Sequence, residues 1–252
     1  MQLFRSKKAK AVLLILVVLV LLLVGALSLR VQEITVTGNE YYTDEEIEEI
    51  LFSGSWNRNP LVIWLSQRLE RYEEIPFVEK YRIRLTGYDS VKVIVYEKSL
   101  VGYLEYLGSY LYFDKDGLVV ESSKELYGSV PRVTGLNVDY VVLSETLPVE
   151  DETVFQELLQ ITQYLAATSI DWNGEETLLS DLVERIDFDS SDNASCYAGD
   201  IIISLGSSDS LEGKLQEMAD ILPELYGRSG TLYLDTYDET DASPWYIFRD
   251  SE

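Results

Sequence analysis

The sequence predicts an α+β protein tethered by one N-terminal transmembrane helix. Residues 11–29, AVLLILVVLVLLLVGALSL, carry no charge. At ~1.5 Å per residue they reach roughly 28 Å, close to the ~30 Å hydrocarbon core of a bilayer. Residues 31–98 then order as strand, helix, helix, strand, strand, which a three-stranded sheet with two helices on one face satisfies. From Leu100 onward, short β-branched and aromatic runs broken by turn residues alternate with two helical segments bearing apolar stripes.

Arg5, Lys7, Lys8 and Lys10 precede the apolar run without an acid. The tail 1–10 is therefore expected in the cytoplasm and everything after residue 29 outside it. A cleaved signal peptide is the competing reading, with Ala26-Leu27-Ser28 as small-residue site. The run exceeds the ~7–15 apolar residues of such peptides, which favours an uncleaved anchor.

The 252 residues hold 44 Asp and Glu against 20 Lys and Arg, a net charge of −24. Residues 1–30 contain five basic residues and no acid, leaving 15 basic and 44 acidic beyond them, a net of −29. The acids are spread along the chain, so their first consequence is solubility and repulsion from anionic lipid; a docking face for a basic partner is the sharper alternative. Nucleic-acid binding needs clustered Lys and Arg and is not expected. A 46% hydrophobic and 12% aromatic content supports a folded core. Histidine is absent, which removes Ser-His-Asp and Cys-His catalysis and His-ligated metals. Cys196 is the single cysteine, so no intrachain disulfide forms. No cofactor and no metal are expected.

Val31–Thr37 alternates as a strand and ends at the Gly38-Asn39 turn. Thr43-Asp-Glu-Glu46 is a capping box, and Ile47, Ile50 and Leu51 share one face of the helix behind it. Asn59-Pro60 starts a second helix, with Val62, Leu65 and Leu69 as its apolar repeat. After Pro76, Val78–Leu85 and Val91–Glu97 form a hairpin around Gly87-Tyr-Asp-Ser90. Val101–Tyr106, Tyr110–Phe113 and Leu118–Val120 read as strands, Asp114-Lys-Asp-Gly117 as a tight turn, and Pro131–Gly135 as an extended segment. A helix is predicted over Glu152–Ala166, a loop over 171–181, and strands over Leu182–Asp189 and Asp200–Leu205 around a polar loop. Asp209 and Glu212 form a capping-box-like pair before a helix striped by Leu211, Leu215, Met218, Leu222 and Leu225. Thr231–Tyr237 is the last predicted strand, followed by an acidic tail, 238–252, interrupted by Trp245-Tyr-Ile-Phe248.

In this order the chain resembles the FtsQ/DivIB family of bitopic bacterial division proteins over nearly its whole length. Ile34-Thr-Val-Thr-Gly38-Asn39 followed by Thr43-Asp-Glu-Glu-Ile47 resembles the start of a POTRA domain, and Pro76-Phe-Val78 with Val91–Lys98 its closing hairpin. Tyr112-Phe-Asp-Lys-Asp-Gly117, Pro131-Arg-Val-Thr-Gly-Leu136, Leu205-Gly206 and Leu232-Tyr-Leu-Asp235 resemble the family's β domain. The family often has a proline soon after the Glu-Lys pair, where this chain has Ser99-Leu100. The resemblance implies a POTRA domain at 31–98 and a β domain at 99–237. It implies a non-enzymatic scaffold at the division septum that binds FtsL-like and FtsB/DivIC-like bitopic partners and, through them, supports septal peptidoglycan synthases. It also implies that the last strand of the β domain receives a strand from the FtsB-like partner.

In Thr231–Tyr237, alternation puts Leu232, Leu234 and Thr236 on one face and Thr231, Tyr233, Asp235 and Tyr237 on the other. If that strand is an edge, its free backbone groups can pair with an incoming chain, with the second set and Trp245 as partner-binding residues. The opposite reading is a strand paired on both sides. Asp187, Asp189 and Asp192 bunch like candidate catalytic carboxylates, but a run of acids at a strand exit is more often a solvated loop. Asp114–Gly117 begins like a calcium loop without its later acids and reads as a hairpin turn. Cys196 is placed in a polar loop, half-buried. An extracytoplasmic glycan-acting enzyme and a POTRA-type export chaperone stand as alternative functions.

Overall fold

A computed structural model of the chain describes residues 7–54, 57–69, 73–237 and 246–251. The fold is mixed α+β in two compact units, which divide between Glu97 and Lys98.

The first unit opens with α1 (Lys7–Ser28), within which Lys10–Ser28 has a mean hydropathy of 3.2 and no buried residue. Its length and composition suit a membrane span or a signal sequence. β1 (Glu33–Thr37) follows. α2 (Asp44–Phe52) starts on the expected capping box: the Glu46 N–H donates to Thr43 Oγ1 (3.3 Å) and the Thr43 N–H to Glu46 Oε2 (2.8 Å). The backbone bond from Thr43 holds the Glu46 carboxyl below its ordinary pKa. α3 (Pro60–Arg68), β2 (Val78–Leu85) and β3 (Ser90–Glu97) complete the unit. The sheet order is β1-β3-β2, with β1 parallel and β2 antiparallel to β3. Val91, Val93 and Val95 point to one face and meet Ile47, Leu51, Phe52 and Ile63 in a single core.

The helix α3 departs from the expected face. Ile63 is its buried residue, whereas Leu65 is 50% and Leu69 just beyond the helix 54% exposed. Polar groups set this rotation. Asn59, 2% exposed, accepts from the Leu61 and Val62 N–H groups through Oδ1, capping α3. Its Nδ2 donates to the carbonyls of Ala26, Leu27 and Leu29 at the end of α1 (3.1, 3.0 and 2.9 Å). At the other end of α3, Gln67 Nε2 donates to the Ile83 carbonyl on β2. With both ends pinned, Ile63, Ser66 and Gln67 turn inward and the leucine row turns out.

Asn59→Asp keeps the cap acceptor but sets a second oxygen against three carbonyls. It is expected to lower the stability of the first unit by about 1–2 kcal/mol, since a buried acceptor then lacks a donor. Thermal unfolding of the full chain in detergent reads this, and an unchanged midpoint refutes the double role.

The second unit contains β4 (Gly102–Tyr106), β5 (Ser109–Phe113), β6 (Val119–Ser123), β7 (Arg132–Thr134), α4 (Glu152–Ala167), β8 (Ser169–Trp172), β9 (Glu175–Leu178), α5 (Leu179–Leu182), β10 (Arg185–Phe188), β11 (Ala194–Ala198), β12 (Ile201–Gly206), α6 (Leu211–Ile221), β13 (Gly230–Tyr233) and β14 (Ile247–Asp250). Among the described residues, nine strands form one sheet in the order β14-β13-β12-β11-β10-β7-β4-β5-β6. α4 and α6 bring Leu158, Ile161, Leu165, Leu211, Leu215 and Met218 onto one core with Ile186, Cys196, Ile203 and Leu232 of the central strands. The stripe expected for the last helix is buried throughout, with Pro223 in a 3-10 turn that extends it.

Four expectations are corrected in this unit. Residues 171–181 are not a loop: β8 and β9 make a hairpin around Asn173-Gly174, both at positive φ (58° and 88°) as a tight two-residue turn requires. The polar loop beyond β10 contains β11, so Cys196 is a fully buried core residue whose thiol is pushed up to about 12 by burial. Asp209 does not cap α6: its carboxylate accepts from the Ser207 hydroxyl (3.1 Å), and Ser210, at φ 51°, stands at the cap position. The strand predicted within Thr231–Tyr237 is not the last, because β14 lies within the acidic and aromatic tail.

Candidate functional site

The two ends of the nine-stranded sheet differ in how their backbone is used. At β6, the Val119 N–H donates to the Glu145 carbonyl (2.9 Å), and the Val119 carbonyl accepts from the Ser144 N–H (2.8 Å). A neighbouring loop therefore covers the start of that margin, and the Lys98 ammonium donates to the next carbonyl, Val120 (3.0 Å). At the opposite end, β14 pairs antiparallel with β13, Thr231 opposite Arg249 and Tyr233 opposite Ile247. The Ser251 N–H donates to the Ser229 carbonyl (2.9 Å). Antiparallel ladders alternate, so Ile247 and Arg249 turn their backbone groups toward β13, and Phe248 and Asp250 turn theirs away. Among the described residues, nothing pairs with that outer row of N–H and C=O groups, which is a template for another strand.

Side chains hold β14 in place. Phe248 packs on the core opposite Leu232. Arg228 stacks over the Phe248 ring (4.3 Å) and bonds both Asp250 oxygens (2.8 Å each). On the other face, the Arg249 guanidinium lies 5.1 Å from the centre of the Tyr233 ring. Ile247 is 47% exposed beside them. Gly230 is required for this approach: a Cβ there would sit 2.2 Å from the Arg249 carbonyl oxygen and 2.7 Å from the Phe248 ring.

The five residues expected to bind a partner do not form one face. Thr231–Tyr237 is not a free edge: β13 ends at Tyr233, is parallel to β12 on one side and is covered by β14 on the other. Thr231 and Tyr233 do share the face opposite the buried Leu232, as alternation requires. Past Leu234 the chain turns, with the Tyr237 N–H donating to the Leu234 carbonyl (3.1 Å). Asp235 lands beside Gly206, and the Tyr237 ring packs on Gly213 of α6. Trp245 lies outside the described residues. Sequence reasoning missed Ile247, Phe248, Arg249 and Asp250. Their signal was the apolar run Trp245–Phe248 inside an acidic tail, which alternates only briefly.

Asp187, Asp189 and Asp114 are committed to hydrogen bonds within the fold. Asp187 accepts from the Thr134 hydroxyl, joining β10 to β7. Asp189 Oδ1 accepts from the Ser191 and Asn193 N–H groups (2.7 and 3.1 Å), and the Asn193 bond first holds its carboxyl below the ordinary value. Asp114 Oδ1 accepts from the Asp116 and Leu118 N–H groups (2.9 and 3.0 Å), which closes the β5–β6 turn. Among the described residues, no three carboxylate or thiol groups gather as a metal site.

No protein-family model matches the chain. A comparison with curated proteins likewise returns no match.

Proposed function

We propose that the protein is a membrane-anchored scaffold of the bacterial division machinery, carrying a POTRA domain and a β domain, that holds FtsL-like and FtsB/DivIC-like partners and accepts a strand from one of them. The observation that carries the reading is the outer row of β14 at the end of a nine-stranded sheet, which is unpaired among the described residues. It moves the platform from Thr231–Tyr237 to Ile247–Asp250 and keeps Tyr233 beside it. The first unit supports the family reading through its strand-helix-helix-strand-strand order behind α1.

Asn59 supports an uncleaved anchor over a signal peptide. Cleavage after Ser28 would remove two of its three carbonyl partners and leave a buried amide under-bonded.

The outer N–H and C=O groups of Phe248 and Asp250 supply up to four bonds, roughly 2–6 kcal/mol at ~0.5–1.5 each. That is weak for two proteins free in solution. Partners confined to the same bilayer meet at a much higher effective concentration, which makes such a contact sufficient.

Depletion in the native host is expected to give filamentous cells with segregated chromosomes; normal division under full depletion sinks the divisome assignment. Strand addition is tested by capture of the FtsB-like partner in co-reconstituted membranes. Gly230→Ala should push β14 off β13 and lower capture at least about tenfold, ~1.4 kcal/mol. Tyr233→Glu, which replaces the ring under Arg249, should weaken capture less and leave the circular dichroism spectrum unchanged. Undiminished capture by Gly230→Ala removes the β14 platform while leaving a division role open to other surfaces.

A further inference from the structure

We infer that α3 lies on the bilayer surface, with its exposed face of Leu61, Trp64, Leu65 and Leu69 seated among the lipid headgroups next to the exit of α1. This rests on the reading of α1 as a membrane anchor. Leu61, Trp64 and Leu65 are 41%, 56% and 50% exposed, and Leu69 continues the row. Their spacing of three, four and eight residues places them on one side of the helix. Among the described residues, nothing within the first unit covers that side, whereas the opposite side carries the buried Ile63.

What covers it follows from where α3 is held. Its cap, Asn59, bonds the carbonyls of Ala26, Leu27 and Leu29, and the Arg58 carbonyl accepts from the Val31 N–H (2.7 Å). The helix thus starts where the apolar span ends. Its far end is fixed by Gln67 to Ile83, two residues or ~7 Å from the end of β2 at Leu85. That end of the sheet is also the one nearest α1: β1 enters there, Glu33 opposite Ser90, and the Gln32 N–H donates to the Asp89 carbonyl (2.7 Å). Both ends of α3 therefore sit at the α1 side of the sheet, and the helix runs across it.

The same margin exposes Tyr88 (75%) in the β2–β3 turn and Leu85 (41%). Arg30, Arg68 and Arg84 are exposed and adjoin the exposed Leu29, Leu69 and Leu85 in sequence. An aromatic and leucine face with arginines beside it is the composition of a helix at a lipid interface, where indole rings settle at headgroup depth and arginine reaches phosphate. The matching occupant is the leaflet from which α1 emerges.

The test uses the full chain reconstituted into phosphatidylethanolamine and phosphatidylglycerol vesicles. Cys196 is buried in the core, so Leu65→Cys supplies the thiol for a nitroxide label. Glu79→Cys, roughly 20 Å up β2 from Leu85, is the aqueous control. The label at 65 is expected to be several-fold more accessible to oxygen, relative to a water-soluble nickel chelate, than the label at 79. Quenching of native tryptophan emission by shallow brominated lipid should drop in Trp64→Phe. A chain that floats with the vesicles but shows equal accessibility at both positions, and equal quenching with and without Trp64, overturns this inference and leaves the anchor standing. Failure to float overturns the anchor reading and this inference with it. Dipolar broadening between labels at 65 would assign the face to a second copy and overturn seating in lipid.

Discussion

Gly135→Ala is expected to destabilise the second unit by about 2–5 kcal/mol, the sum of a left-handed backbone cost and an overpacking cost. Gly135 follows β7 at φ +83°, and a Cβ there would lie 1.8 Å from the Phe188 carbonyl oxygen. The neighbours are backbone atoms of β10, so no side chain can rotate away. The position matters because β7 is the seam of the sheet. It is parallel to β10 on one side and to β4 on the other, and it joins β4–β6 to β10–β14. Opening the seam would loosen the support of β14. Denaturant titration of the full chain should therefore show the loss, and partner capture should fall with it. A midpoint within experimental error of the natural chain would refute the close approach.

Glu157→Gln is expected to have the opposite sign and to depend on pH. Glu157, on the inner side of α4, is 3% exposed, and its Oε1 has no hydrogen-bond partner. Burial raises its pKa from 4.5 to about 7, with Lys214 opposing and Asp192 adding to the shift. The folded chain keeps this proton up to about pH 7, whereas the unfolded chain releases it near 4.5. The associated stability is fully present below pH 4.5 and is lost as pH rises through 7, an amount of about 3 kcal/mol. Glutamine never ionises. The variant should match the natural chain near pH 4.5 and exceed it by up to that amount at pH 8. Lys214 trims the gain: burial pushes its ammonium pKa down, Glu157 pulls it back up, and its Nζ donates to the Ser207 carbonyl (2.8 Å). Urea midpoints at the two pH values decide the matter, and an equal difference at both refutes the buried carboxylate as the cause.

The glutamate and lysine also show the limits of patterning. Helical periodicity marks Leu158, Ile161 and Leu165 as core, and they are buried. The same periodicity gives no warning that Glu157 and Lys214 go in with them, because the enclosing neighbours come from other elements.

Local chemistry determined much of this protein. The charge-free run at 11–29, the Thr43–Glu46 capping box, the Asn59-Pro60 start and the valine alternation of β3 are each written in adjacent residues. Each appears where the sequence places it. Such features depend on backbone geometry over a few residues, so a linear reading reaches them.

Tertiary structure decided which rows are paired and which faces are covered. Thr231–Tyr233 has the alternation of an edge strand and of a central strand alike. Only the return of Ile247–Asp250 fills its second row and transfers the open margin to β14. Leu65 and Leu69 repeat as a core stripe would, yet Asn59 and Gln67 rotate Ile63 inward in their place. In both cases the deciding partner is distant in sequence. A hydrogen bond or a close approach between remote segments outweighs the small free energy with which a short pattern favours one face over the other.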